Sequence, residues 1–281
     1  MNLPAQTQEY PGTTGEMVPP PRDRMADYRG SGLLAGRRTL ITGGDSGIGR
    51  AVAVAFAKEG ADVAFGYLSE DEDAGETRRL VEAEGVRCLS RAGDLSRADE
   101  CEALVAEAAS AFGGIDVLVN HAGTQYQQDS LEDVDDDSML RVFAVNVFAP
   151  IRLTRAALPH LGPGASIINT ASVTALHGNP TLLDYSASKG AVISFTYALA
   201  ASLAERGIRV NAVAPGPVWT PLIPSTFDAE HVKGFGSHTP MGRPAEPDEI
   251  APSYVFLASN TLSSYYSGQV LAPVGGEPGR T

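Results

Sequence analysis

Lysine is scarce in this 281-residue chain: only Lys58, Lys189 and Lys233 carry an ammonium. Cysteine is scarcer still. Cys88 and Cys101 lack a CxxC spacing, so no disulfide framework is expected, and a reduced, cytoplasmic protein is the simple reading. No His, Cys and Asp residues cluster with metal-ligand spacing, so no metal is expected. Positive charge is outweighed, with 21 Lys and Arg against 34 Asp and Glu, a net charge of −13 and a pI near 4.8. Such a surface repels nucleic acid and anionic membrane, and neither is expected as a partner. The longest strongly apolar uncharged stretch, Gly190 to Ala204, falls short of the roughly 20 residues that span a bilayer and reads as a buried helix. The amino terminus has prolines and acids but no apolar core, unlike a signal or transit peptide.

What is present is regular alternation. Residues 1–36 are rich in Pro, Gly and polar residues without periodicity and read as an extended arm. From Arg38 onward, apolar strands at 38–43, 61–67, 86–94, 116–123, 166–173, 209–216 and 269–274 alternate with helical stretches, including 71–84, 136–160, 185–206 and 247–258. A loop region is expected over 217–245. Near-continuous apolar strands separated by helices indicate a parallel sheet covered on both faces. The expectation is an α/β fold: one doubly wound, seven-stranded, Rossmann-type domain over 37–281.

Between the first strand and helix stands "TGGDSGIG", Thr42 to Gly49. Glycine permits a tight turn and a close backbone approach to a pyrophosphate, and the following helix N-terminus offers unpaired N–H groups. Farther on, "DYSASKG" places Tyr185 and Lys189 four positions apart, on one face of a helix. Alone, that pair is most simply a half-buried tyrosine beside a solvated lysine.

Several motifs in one order carry more weight. "TGGDSGIG", Asp94 in "GDL", Asn120 to Gly123 in "NHAG", Asn146, Ser172, Tyr185 with Lys189, and "PGPVWT" at 215–220 resemble the short-chain dehydrogenase/reductases over about residues 37–276. "GGDSGIGR" with the proline-rich arm resembles a bacterial, stress-associated subgroup. The resemblance implies an oxidoreductase that moves a hydride between NAD or NADP and a small-molecule alcohol or carbonyl. It implies a catalytic set of Asn146, Ser172, Tyr185 and Lys189, and a homotetramer. For the dinucleotide it implies Gly43, Asp45, Ser46, Gly47, Ile48 and Gly49 in the turn, Tyr67, Asp94 and Leu95 beyond the next strands, and Asn120, Ala122 and Gly123. Pro215, Gly216, Val218, Thr220, Tyr185 and Lys189 complete that set. His121 replaces the family's usual asparagine.

The chemistry gives the lysine a task. A tyrosine near its ordinary value of about 10 is a poor base at neutral pH. An ammonium at about 4 Å supplies about 4 kcal/mol of preference for the phenolate at an effective dielectric near 20. Lys189 is therefore expected to lower the Tyr185 phenol. Ser172 is expected to polarise a carbonyl, Asp94 to accept from adenine, and Asn146 to link Lys189 to solvent through water. A satisfied buried amide is the other reading of Asn146. Asp184 reads as a solvated loop acid. His177 and Asn179 are candidates for the substrate side, Leu222, Ile223, Phe227 and Phe235 for a substrate lid or a subunit contact, and Trp219 for a cofactor-sensitive indole or one buried in a subunit contact. Tyr67 stands where an NAD-selective acid would, and the cofactor preference stays open. A dinucleotide-sensing protein without catalysis and a sugar-nucleotide epimerase or dehydratase are the competing readings. The intact Ser, Tyr, Lys and Asn set opposes the former. The glycine spacing and the lack of a longer substrate domain oppose the latter.

Overall fold

The computed structural model describes residues 3–277, so residues 1–2 of the expected arm and 278–281 of the expected domain lie outside it. The strands are β1 (Arg38–Thr42), β2 (Asp62–Tyr67), β3 (Cys88–Ala92), β4 (Val117–Asn120), β5 (Ser166–Thr170), β6 (Arg209–Val213) and β7 (Val270–Leu271). All pair in parallel, in the order β3-β2-β1-β4-β5-β6-β7. Strands β4, β5 and β6 are buried throughout, as two covered faces require.

The helices are α1 (Gly47–Lys58), α2 (Asp71–Glu82), α3 (Ala98–Phe112), α4 (Asp136–Phe143), α5 (Ala149–Ala157), α6 (Thr174–His177) and α7 (Leu183–Leu203). They continue as α8 (Leu222–Thr226), α9 (Ala229–Gly234), α10 (Pro247–Ala258) and α11 (Asn260–Ser263). On one face α1 and α10 bury Val52, Phe56, Ile250 and Tyr254. On the other, α3, α5 and α7 bury Leu104, Val105, Leu153 and Leu203. The strand order reverses between β1 and β4, and the crevice of a doubly wound sheet opens at the carboxyl ends of the strands there.

Several strands end before the residues their apolar runs include. β4, β5 and β6 stop at Asn120, Thr170 and Val213, so Ala122, Gly123, Ser172, Pro215 and Gly216 belong to the loops beyond. β7 is two residues long; Pro273 has no N–H to continue a ladder. The 217–245 region contains α8 and α9. The helix over 136–160 is interrupted by a π-helical turn at Ala144–Phe148, which holds Asn146. α7 is not fully buried: Val192, Thr196, Ala200 and Leu203 face inward, whereas Tyr197, Ala198 and Ala201 are exposed.

The arm adds no strand to the sheet. It folds back on its own chain. Asp23 and the Arg50 guanidinium, each side chain 1% exposed, form an ion pair of 3.1 Å. Arg22 N and Met25 N donate to Glu246 and Asp248 at the start of α10, and Tyr28, Ser31 and Leu33 bond Glu59 at the end of α1. Leu3 and Met17 pack with Leu182, Trp219, Ile223 and Phe227. Removing one partner of a buried pair leaves a desolvated charge, so Asp23→Ala should cost about 3 kcal/mol in urea unfolding. A loss below about 1 kcal/mol would show that the arm does not brace the domain.

Candidate active site

The polar residues of the crevice come from the loops beyond the carboxyl ends of the strands and from helices, among them the first turns of α7. After β1, Gly43 (φ +69°) and Gly47 (φ +53°) adopt left-handed turns. A Cβ on Gly49 would lie 1.7 Å from Gly43 O, so only glycine closes this turn. Ser46, the N-cap of α1, does not cap its helix; its hydroxyl donates to Asp45 Oδ2 at 2.8 Å. The first N–H groups of α1 are thus left to other partners. After β4, the Thr42 hydroxyl accepts from His121 N and Ala122 N, which pins the "NHAG" turn onto β1.

After β5, Ser172 Oγ accepts from Thr174 N (3.2 Å) and Thr174 Oγ1 (3.0 Å). Tyr185 and Lys189 stand on the first turns of α7, and Lys189 Nζ donates to Thr170 O at 2.8 Å, using one of its three donors.

These elements surround one cavity of about 600 Å³, within the usual range of small-molecule sites. Of the expected cofactor residues, Gly43, Asp45, Ser46, Gly47, Ile48, Tyr67, Asp94, Leu95, Ala122, Gly123, Pro215, Gly216, Val218 and Thr220 line it, together with Ser172, Tyr185 and Lys189. His177, Asn179, Leu222, Ile223, Phe227 and Phe235 line it as well.

Gly49, Asn120 and Asn146 do not line it, and their contacts explain why they are present. Gly49 closes the turn. Asn120 Nδ2 bonds Thr154 and Asn169 and ties β4 to α5 and β5. Asn146 Nδ2 donates to Thr124 O and Ser188 Oγ, and its Oδ1 accepts from Thr124 N. Asn146 is therefore a satisfied buried amide that fastens the loop after β4 to α7. A Cβ on Gly123 would sit 3.3 Å from Asn146 Oδ1 and 3.4 Å from Lys189 Nζ, so a glycine keeps these two groups adjacent.

Two other expectations change, for Asp184 and Trp219, and the surroundings of Asp94 and Tyr67 become visible. Asp184 is buried, and its Oδ1 accepts from Tyr185 N at the start of α7, where the helix dipole favours an anion. Trp219 is fully buried outside the cavity, with Nε1 donating to Pro19 O of the arm. Asp94 accepts from Arg141 Nη1 at 2.7 and 2.9 Å and from Ser96 N, so its carboxylate is already engaged. Acids do stand beyond β2: Glu70 lines the cavity, and the Tyr67 hydroxyl donates to Asp71 at 2.8 Å.

In this structure Lys189 is engaged with Thr170 O rather than with the phenol. Its Nζ lies 5.6 Å from the Tyr185 ring centroid. Burial pushes Tyr185 up to about 12, opposed by the Ser172 hydroxyl, and burial lowers Lys189 to about 8. Burial is the leading cause of both shifts and favours the neutral phenol. Burial, then the Lys189 charge, lowers His121 to about 3. Its neutral ring shares the Thr170 hydroxyl (3.1 Å) with the Tyr254 hydroxyl (2.7 Å). Burial raises Asp94, but the bonds from Arg141 and Ser96 prevail and hold it below the usual carboxylate range.

Sequence reasoning missed Tyr10, Gly12, Glu70, Arg141 and Thr170 as lining residues. Arg141 carried a faint signal, a lone cation in the acidic stretch 132–137 and beyond; the arm residues carried none.

The turn suits a dinucleotide. Gly47 would meet Thr220 Cγ2 at 2.9 Å if it bore a Cβ, so the backbone is bare where a phosphate would approach α1. Tyr67 and Glu70, beyond β2, line the same cavity as Ser172, Tyr185 and Lys189.

A doubly wound sheet with a glycine turn, serine, tyrosine and lysine around one crevice defines an oxidoreductase of the dinucleotide-using class. A family model described as enoyl-(acyl carrier protein) reductase matches residues 43–276. General stress protein 39 of Bacillus subtilis is 52% identical over 275 residues, 98% of this chain and 96% of that protein. The NADPH-dependent aldehyde reductase 1 of Arabidopsis thaliana is 50% identical over 272 residues, 95% of this chain and 94% of that protein. A crystal structure of a short-chain dehydrogenase from Burkholderia cenocepacia in complex with NADP superposes with a TM-score of 0.82 at 35% identity, covering 87% of this chain and 98% of that one. This chain belongs to the short-chain dehydrogenase/reductase family.

Burial, then the charge of Glu70, raises Asp45 from 3.8 to about 6. A folded acid with a raised value holds its proton more tightly than the unfolded chain does. Its stabilising contribution is present at low pH and is lost as pH climbs from about 4 to about 6, at a cost of about 3 kcal/mol. Asp45→Asn should remove that part of the slope in urea unfolding across this window. An unchanged slope would place the carboxyl in a solvated setting.

Proposed function

We propose that the chain is an NAD- or NADP-dependent oxidoreductase acting on a small aldehyde, ketone or alcohol, with Tyr185 as the acid and base. The observation that carries this reading is the single cavity joining the glycine turn to Ser172, Tyr185 and Lys189. The named activity of the Arabidopsis relative and the NADP complex of the Burkholderia neighbour support it.

A bound nicotinamide would supply the hydride acceptor or donor. The chain's own residues handle the oxygen and its proton. Ser172 would orient the substrate oxygen by hydrogen bonding. Tyr185, held neutral by burial, is ready to give its proton to a carbonyl oxygen as hydride reaches the carbon. In the oxidative direction the phenol must first lose that proton, and a raised phenol favours this only at alkaline pH or beside added positive charge. Lys189 is placed to stabilise the resulting phenolate once a ligand draws it from Thr170 O, and to hold a ribose. The glycine turn and the start of α1 would hold the pyrophosphate, and Tyr67, Asp94 and Leu95 the adenosine end. Asp45 and Glu70 there would oppose a 2′-phosphate, whereas the Arabidopsis relative is named for NADPH and solved neighbours carry NADP or NADH, so the reading keeps both cofactors.

Cytoplasmic residence and a homotetramer belong to the same proposal. Both cysteines are free, and burial raises their thiols to about 12 and about 11. Leu140, Phe148 and Ile151 on the α4–α5 segment are exposed, as are Met241, Leu262, Tyr265 and Tyr266 near the β7 edge. Two separate apolar faces suit an assembly with two kinds of two-fold contact. Among the described residues, no helix is long and apolar enough to cross a membrane.

Tyr185→Phe should lower turnover 10²–10⁴-fold while leaving dinucleotide affinity nearly intact, because only the proton-bearing oxygen is lost. A fall smaller than about tenfold would remove Tyr185 as the acid. Lys189→Met should weaken dinucleotide binding and turnover together, and move the alkaline limb of alcohol oxidation to higher pH. A pH–rate profile that keeps its position would leave Lys189 with a binding role alone.

A further inference from the structure

The arm has two parts that are held very differently. Residues 19–36 are bolted down: Pro19 O to Trp219, Asp23 to Arg50, Arg22 and Met25 to α10, and the 28–33 segment to Glu59. The preceding stretch is held mainly at its two ends. Gln8 N donates to Pro224 O (2.7 Å) in α8, and Thr14 N donates to Asp73 Oδ2 (2.8 Å) in α2. α8 follows the Thr220 loop on one side of the glycine turn, and α2 follows β2 on the other. Residues 8–14 therefore cross from one bank of the crevice to the other, over a reach of at most about 20 Å.

Between these moorings Tyr10, Pro11 and Gly12 line the same cavity as Asp45, Ser46, Gly47, Lys189 and Tyr185. Tyr10 is half-buried, its ring 6.2 Å from that of Tyr126, and burial raises its phenol. Gly12 (φ +82°) is buried, and a Cβ there would come within 2.7 Å of Pro221 O, so the crossing lies directly on the loop beside the turn.

We infer that residues 8–14 are a strap across the dinucleotide cleft, with Tyr10, Pro11 and Gly12 as ligand-contacting wall, so that a bound dinucleotide is enclosed between strap and glycine turn and leaves when the strap lifts. This rests on the dinucleotide reading above and extends it to a segment outside the sheet domain. The anchors at 19–36 act as the fixed end. The two end bonds and the packing of Tyr10 and Gly12 are what must break for release.

The test uses the full chain and NADH or NADPH as probes. Equilibrium binding, stopped-flow displacement and hydrogen exchange are measured on wild type, Tyr10→Ala and Gly12→Val. Wild type should bind a dinucleotide and show slowed amide exchange over residues 8–14 on saturation. Each variant that melts within a few degrees of wild type should release the same dinucleotide at least tenfold faster and bind it more weakly. Exchange over 8–14 that ignores a saturating dinucleotide would overturn the strap, whether or not the variants fold. So would folded variants with release rates and affinities within twofold of wild type. In those two cases the dinucleotide reading survives. A wild-type chain that binds neither NADH nor NADPH would sink that reading and the strap together.

Discussion

One buried guanidinium holds together the pieces from which the cleft is made. Arg50 follows the last glycine of the turn and is 1% exposed. Its Nε donates to Asp45 O and Thr77 Oγ1, its Nη1 to Asp23, and its Nη2 to the backbone and carboxylate of Asp73. The glycine turn, α2 and the arm therefore meet on a single charge. Burying that charge is costly, and the cost is offset only while all these partners stay in place. Asp73 passes the constraint on, since its second oxygen accepts from Thr14 N at the far mooring of the crossing segment. The bare backbone of the turn, with no side chain to pack, takes its shape from this network.

The same exclusion of water sets the chemistry. Burial drives Tyr185 and Lys189 toward their neutral forms, up to about 12 and down to about 8. Desolvation disfavours charge of either sign. The resting site is thus closer to a proton donor for a carbonyl than to a base for an alcohol. Positive charge arriving with an oxidised nicotinamide would tilt it the other way, which makes ligand binding part of the acid–base control.

Much of this was legible in the sequence, and the rest was not, for identifiable reasons. The order of strands and helices followed from apolar periodicity, and the glycine turn and the Tyr185–Lys189 pair from spacing. Strand ends were overextended because the cleft residues after β4, β5 and β6 are as apolar as the strands themselves. Asn146 reads as a water link or a satisfied buried amide, and its bonds to Thr124 depend on a contact distant in sequence; Asp184 reads as a loop acid, yet it is buried and accepts from the adjacent Tyr185 N at the start of α7. The arm's lack of periodicity correctly kept it out of the sheet, but the contacts of Asp23, Tyr10 and Gly12 gain meaning only from Arg50, the cavity and Pro221, which the fold brings to them. Trp219 followed the arm: its environment is Pro19 and Met17, not the cavity.

The account stands on hydride transfer within this cleft, and isotope tracing tests that most directly. Reduced dinucleotide carrying deuterium at the nicotinamide C4 position is supplied with a panel of aldehydes and ketones in ordinary water. The account predicts that a substrate is reduced with deuterium on its carbinol carbon and an ordinary hydrogen on its oxygen, and that Tyr185→Phe suppresses the product. Deuterium washed into solvent, or no reduction of any carbonyl with either dinucleotide, would contradict it.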